Sequence, residues 1–157
     1  MHTPEFLAHR SIVSVTGADA EAFLNGIVTV STSGMTPGEI RYGALLTPQG
    51  KVIADMLLTR SDDAILIDCA ASAAPALVKR LTMMKLRAAV AIEERSDLGV
   101  WAFEGDADPR SALAPRRKIG PREETAEASA YHAARIAAGL PEQGFDFGAE
   151  DVFPADI

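Results

Sequence analysis

Three β-type runs separated by two tight turns constrain this chain more than any other feature. Glu39 to Leu46, Lys51 to Arg60 and Ala64 to Cys69 are the runs, and Thr47-Pro48-Gln49-Gly50 and Ser61-Asp62-Asp63 are the turn sequences between them. Links this short predict an antiparallel meander. Upstream, Ser11 to Val15 reads as a strand that stops at Thr16-Gly17, and Ala18 to Gly26 as a helix with Asp19 and Glu21 in its first turn and Gly26 at its C-terminal cap. Val30 to Gly38, rich in Ser, Thr, Gly and Pro, reads as a loop.

Downstream, Ser72 is the expected cap of a helix with Pro75 in its first turn. Leu77, Val78, Leu81, Met84 and Leu86 would form its apolar stripe. Ala88 to Ile92 and Val100 to Phe103 read as returning strands. The element order predicts an α+β fold, a mainly antiparallel sheet with helices on one face, as in a ferredoxin-like subdomain. Past Gly105 the texture changes: Asp106 to Pro115 is turn-rich, and Ala126 to Gly139 is alanine-rich and helical, stopped by Gly139-Leu140-Pro141. We expect one unit over 1–104 and the start of a second, incomplete one over 105–157. The closing stretch Phe145 to Ile157 has no clear periodicity and no stabilising element of its own.

At 157 residues and 48% hydrophobic content the chain can fill one good core or two small ones. No apolar run approaches the roughly 20 residues of a membrane span, so no membrane role is expected. The net charge of −7 argues against nucleic acid, whose phosphates demand a concentrated basic surface. The basic cluster Arg116, Arg117, Lys118 and Arg122 reads first as a solvated loop edge, and alternatively as a dock for an anionic tail. Cys69, the only cysteine, allows neither an internal disulfide nor a thiolate metal cage, which fits a reducing, cytoplasmic setting, and it reads as a buried, inert thiol. His2 and His9 fall in an N-terminal segment expected to fray, and His132 and Arg135 are helix neighbours at three-residue spacing. The sequence carries no Ser/His/Asp order, P-loop, dinucleotide fingerprint or metal-ligand series.

Several phrases, in order and at kept spacing, carry a resemblance. They are Gly17-Ala18-Asp19-Ala20 with Phe23-Leu24-Asn25-Gly26, then Tyr42-Gly43-Ala44-Leu45-Leu46-Thr47-Pro48-Gln49-Gly50-Lys51-Val52-Ile53-Ala54-Asp55. Tyr131 through Arg135-Ile136, Gly139-Leu140-Pro141-Glu142 and Asp151-Val152-Phe153-Pro154-Ala155 follow. Together they resemble the glycine-cleavage T-protein (GcvT) superfamily, and its YgfZ branch most. That branch's Lys-Gly-Cys-Tyr-x-Gly-Gln-Glu motif is expected just beyond Ile157, so the chain reads as truncated before it.

The resemblance implies tetrahydrofolate as ligand and an accessory role toward iron–sulfur client proteins. A folate-dependent aminomethyltransferase, or an interaction module of the same fold, stands as the alternative. In the aminomethyltransferase branch the strand after the glycine turn carries two adjacent aspartates, the first catalytic; here those positions are Ala54 and Asp55. Strand alternation puts Ala54, Met56 and Leu58 on one face and Asp55 on the other. With the ligand facing Ala54, an apolar wall of Ala54, Met56 and Leu58 is expected, with no catalytic carboxylate. The family's pterin-clamping glutamate falls at Ala137, and its Thr-Asn-Asp phrase reads Thr29-Val30-Ser31. Tyr42 matches a tyrosine near the folate and reads equally as a cross-strand packing residue. Arg135 completes the expected cofactor-binding set, with the basic cluster as the alternative dock for the folate glutamates.

Overall fold

The computed structural model describes residues 2–124 and 127–157. Eight strands and three helices follow one another: β1 (Glu5–Phe6), β2 (Arg10–Thr16), α1 (Ala20–Asn25), β3 (Ile40–Leu46), β4 (Val52–Arg60), β5 (Ala64–Ala70), α2 (Ala74–Met84), β6 (Ala91–Arg95), β7 (Leu98–Asp106), β8 (Arg117–Pro121) and α3 (Ser129–Ala137). β3-β4-β5-β2-β6 form one antiparallel sheet, and β1-β7-β8 form a second. The fold is α+β, as the element order predicts. No described helix is long and apolar enough to cross a membrane.

The meander forms because its turns close locally. Thr47 N–H donates to Lys51 O at 2.8 Å and Gly50 N–H to Thr47 O at 2.9 Å, with Gly50 at a φ of +91° that a side chain disfavours. Gly17, at φ +112°, ends β2 where a Cβ would strike the Ala89 carbonyl, so only glycine lets the chain turn into α1 there.

Strand alternation divides the larger sheet into two unlike faces. One carries Val13, Val15, Ile65, Ile67, Cys69, Ala54, Met56 and Leu58, and packs against Ala20 and Leu24 of α1 and Ala74, Leu77 and Leu81 of α2. From the other face Ile12 joins a second cluster with Leu7, Val100, Ala102 and the α3 residue Tyr131. A third, small cluster pins the closing segment: Phe147, Val152 and Ile157 lie on Ala44 and Val52.

Several local expectations need correction. The Ser72 hydroxyl does not cap α2; Ala73 is the N-cap, with no side-chain bond. The apolar stripe of α2 ends at Leu81, because the chain turns at Lys85–Ala88 with Leu86 at φ +46°, which throws Met84 and Leu86 outward. That turn also delays the returning strand, so β6 starts at Ala91 and not Ala88. The last helix begins at Ser129, and its expected start at 126 lies outside the described residues. The segment after Phe145 does have an anchor: Val52 N–H donates to Val152 O, and Glu150 N–H to Val52 O, each at 2.8 Å. The N-terminal histidines are held too, His2 stacked on Phe103 with ring centroids 4.2 Å apart and His9 against Glu142. The position 104/105 falls inside β7, whose partners β1 and β8 come from either side of it.

Candidate functional site

β4 pairs with β5 only from Leu57 to Arg60, so toward Val52 the two strands part and leave backbone groups of β4 open. The Gln143 side chain fills that gap: its Nε2 donates to Ile53 O at 2.9 Å, and its Oε1 accepts from Asp55 N–H at 3.3 Å. Here the sheet turns polar. Asp55, 3% exposed, points away from α1 and α2, and its Oδ2 accepts the Tyr42 hydroxyl at 2.7 Å. Tyr42 stands opposite Leu57 on β3, which makes it the diagonal neighbour of Asp55 on the same face. Asp55 Oδ1 is buried and is the only such side-chain atom without a hydrogen-bond partner among the described residues. Burial first, and then the Asp55 charge, push the Tyr42 phenol well above its ordinary range, so it stays protonated and donates.

Tyr42 also lines a cavity of about 270 Å³ with Pro109, Arg110, Leu140 and Pro141. The Arg110 guanidinium lies 5.6 Å from the Tyr42 ring centroid and forks onto Asp108 at 2.7–3.2 Å. An aromatic ring, an arginine and the apolar side chains of Pro109, Leu140 and Pro141 suit a planar heterocycle.

Beside this lies a continuous charged network. Asp68 accepts from Arg10 Nε at 2.7 Å on one oxygen and from Arg117 Nη2 at 2.7 Å on the other. Arg117 Nη1 reaches the Tyr131 hydroxyl at 3.1 Å, which donates to Glu142 Oε2 at 3.0 Å. Glu142 Oε1 meets His9 Nε2 at 2.9 Å and Arg10 Nη1 at 3.3 Å. Burial alone would raise the Asp68 and Glu142 pKa values, yet the guanidiniums, and His9 for Glu142, hold both well below the usual carboxylate range. Charges this deep are tolerated only because every partner is itself satisfied. Their role is to lock the two sheets and α3 together behind the cavity.

The expected site residues fall in different places. Ala54, Met56 and Leu58 are each 0% exposed and packed beneath the helices, so they form no ligand wall. Alternation separates Ala54 from Asp55 as expected, but the helices cover the apolar face and the polar face is left for the cavity. Asp55, expected to turn away from any ligand, lies buried on the Tyr42 side of the sheet and meets the cavity only through its bond to Tyr42, which lines it. Arg135 is buried in a structural role: Nη1 donates to Leu140 O and to Asp146 at 2.8 Å, and Nε to His132 Nδ1 at 2.9 Å. Burial first, and then the His9 and Arg135 charges, lower the His132 pKa. Ala137 is exposed. Tyr42 is the one expected residue at the cavity.

The basic cluster is in part the solvated edge expected, with Arg116, Lys118 and Arg122 exposed, but its side chains are engaged within the chain. It lies on and beside β8, where Arg117 turns inward to Asp68, Arg116 donates to Gly105 O, Lys118 reaches Glu104, and Arg122 binds Arg10 O and Ala8 O. Sequence reasoning missed Arg10, Asp68, Arg110, Glu142 and Gln143. Asp68 had a visible signal: a carboxylate between Ile67 and Cys69 in a β-run needs a buried cation. Its partners come from distant segments, and no local pattern names them.

Residues 7–106 match the GCVT N-terminal domain family. A relative in Mus musculus, the iron-sulfur cluster assembly factor IBA57, mitochondrial, is 29% identical over 85% of this chain and 49% of its own length. The homologous factor of Phaeosphaeria nodorum is 32% identical over 64% of this chain and 27% of its own length. An aminomethyltransferase of Chromobacterium violaceum is 27% identical over 87% of this chain and 36% of its own length. The chain thus spans half or less of the length of these relatives. The crystal structure of glycine cleavage system aminomethyltransferase T from Bartonella henselae superposes with a TM-score of 0.57 at 20% identity, over 87% of this chain and 31% of that one. That likeness concerns the fold, and with the matched 7–106 segment it leads to one conclusion: the chain belongs to the GCVT N-terminal domain family.

Proposed function

We propose that this chain is the tetrahydrofolate-binding part of an accessory protein for iron–sulfur cluster assembly, of the YgfZ type. The observation that carries the folate reading is Tyr42, which lines the 270 Å³ cavity and donates to Asp55, whose buried Oδ1 has no other partner among the described residues. The size fits part of the ligand only. Whole ligand sites start at roughly 300 Å³, so this cavity takes the bicyclic ring and leaves the glutamate tail outside. The charges agree, since Arg10, Arg110, Arg117 and Arg135 are each paired with a carboxylate and none is spare for the tail. When bound, tetrahydrofolate supplies the nitrogens that carry a one-carbon unit. The chain's part is to orient the ring against Tyr42, to hold an N–H on Asp55, and to keep water out with Leu140 and Pro141.

The iron–sulfur role, with client proteins as partners, is supported by relatives named as iron–sulfur cluster assembly factors. Those relatives are named mitochondrial; for this chain we propose a reducing, cytoplasmic compartment, on the ground that its one cysteine is buried and unpaired. A second reading, folate-dependent aminomethyl transfer, is favoured by one observation: a buried carboxylate, Asp55, is hydrogen-bonded to the cavity residue Tyr42, within reach of acid–base work on an amine there.

Calorimetric titration with tetrahydrofolate, followed by a methylene-transfer assay, separates the readings. Saturable binding without transfer supports the accessory role, and transfer that Asp55→Asn abolishes supports the second reading. Absence of binding contradicts both.

A further inference from the structure

We infer that the C-terminal tip of α2 and the turn after it form a docking surface for an acidic, apolar-faced segment of a partner protein. The stretch 69–92 holds four cations, Lys79, Arg80, Lys85 and Arg87, and no carboxylate, in a chain whose net charge is −7. The contrast with the rest of the molecule is sharp. Among the described residues, eight of the other eleven Lys and Arg side chains make ion pairs, whereas none of these four does. Arg116 and Arg122, outside the tip, are held by backbone carbonyls, and Lys51 lies over the Phe153 ring.

Helical spacing gathers the tip into one surface. Lys79 and Met83 lie on the side opposite the buried Leu77 and Leu81, with the half-buried Arg80 on the flank between. Leu86 and Arg87 continue past the helix end, Leu86 at φ +46° and 86% exposed, Met83 at 65%. A non-glycine residue held in the left-handed region with its leucine side chain in water is unfavourable twice over, and such strain gathers at binding sites. Helix-dipole compensation accounts at most for Lys85, the C-cap, and Arg87 just beyond it; Lys79 and Arg80 lie before the last turn of α2. Neighbouring carboxylates form no ion pair with them among the described residues: Asp19 is engaged by the Ala89 N–H at 2.7 Å, and Glu93 and Glu94 of the adjacent β6 bridge to none of the four. Lys85 alone has a partner, the Val90 carbonyl at 3.5 Å.

Cations around flexible methionine and leucine side chains are what an acidic amphipathic helix requires. The absence of an aromatic side chain among residues 69–92 favours a protein partner over a membrane surface, where Trp and Phe anchor.

Fluorescence anisotropy with a labelled helical peptide bearing Glu on one face and Leu on the other tests this. The intact chain binds the peptide, more weakly as salt rises. Lys79→Glu/Arg80→Glu and, separately, Met83→Ser/Leu86→Ser each weaken binding about tenfold, with circular dichroism unchanged. Arg95→Glu, on another face, has no effect. Failure of the peptide to bind, binding indifferent to both double variants, or tip-dependent binding that prefers phosphatidylserine vesicles overturns the inference.

Discussion

The Tyr42 hydroxyl donates to Asp55 Oδ2 at 2.7 Å, joining β3 and β4 across the face that α1 and α2 do not cover. One carboxylate oxygen is thereby satisfied, and the other is buried with no partner. Orphaned buried acceptors are rare in native folds because each costs about 1–3 kcal/mol. The pair therefore sets one buried carboxylate acceptor beside the Tyr42 hydroxyl on that face.

Tyr42→Phe removes the remaining bond and leaves both Asp55 oxygens unpaired. We expect a loss of about 1–3 kcal/mol in urea unfolding. Tyr42→Phe/Asp55→Ala, which removes donor and acceptor together, is expected near the stability of the intact chain. A double variant as unstable as Tyr42→Phe alone would contradict the pairing.

Ala54→Asp, the change that restores the family's first aspartate, does not restore a site. Position 54 lies in the apolar core under the helices, so the new carboxylate is buried without a partner. Destabilisation of about 3 kcal/mol or more is expected, read as a lower thermal midpoint. A folded, unperturbed Ala54→Asp chain would place Ala54 at a surface.

Much of the fold was legible in the sequence, and the reasons are local. The meander from Ile40 to Ala70 follows from turns at 47–50 and 61–63, and α2 from the Leu77–Leu81 spacing. The site was legible only up to a choice of face. Alternation correctly split Ala54 from Asp55, but which side the helices would cover depends on α1 and α2 packing over Val13, Ile67 and Met56, a tertiary fact. The Arg10–Asp68–Arg117 and Glu142–His9 contacts join residues 49 to 133 positions apart, and nothing in the spacing of any one segment encodes them.

Acid stability follows from that network. The folded pKa values of Asp68 and Glu142 lie below their ordinary values of 3.8 and 4.5, so the unfolded chain binds more protons as pH falls. Their contribution is fully present above about pH 5 and is lost as pH drops below 4.5 toward the depressed folded values. Asp68→Asn leaves two buried guanidiniums with one partner fewer, and should cost about 3–5 kcal/mol at neutral pH while flattening the acid limb of the stability profile. An unchanged limb in Asp68→Asn and in Glu142→Gln would remove the network from the account.

The Cys69 thiol, fully buried in the core, has its pKa pushed up to about 12, chiefly by burial. A thiol-reactive disulfide reagent should leave it untouched in the native chain and modify it at the rate of unfolding in urea. Fast modification without denaturant would mean that the core under α2 opens.

The most direct test is titration of tetrahydrofolate into the intact chain and into Asp55→Ala by calorimetry. Saturable binding to the intact chain, weakened at least about tenfold by Asp55→Ala and left in place by an exposed-surface change such as Arg95→Ala, is the expected result. Equal affinity in the intact chain and Asp55→Ala, or no heat in either, would contradict the placement of the ligand beside Tyr42 and Asp55.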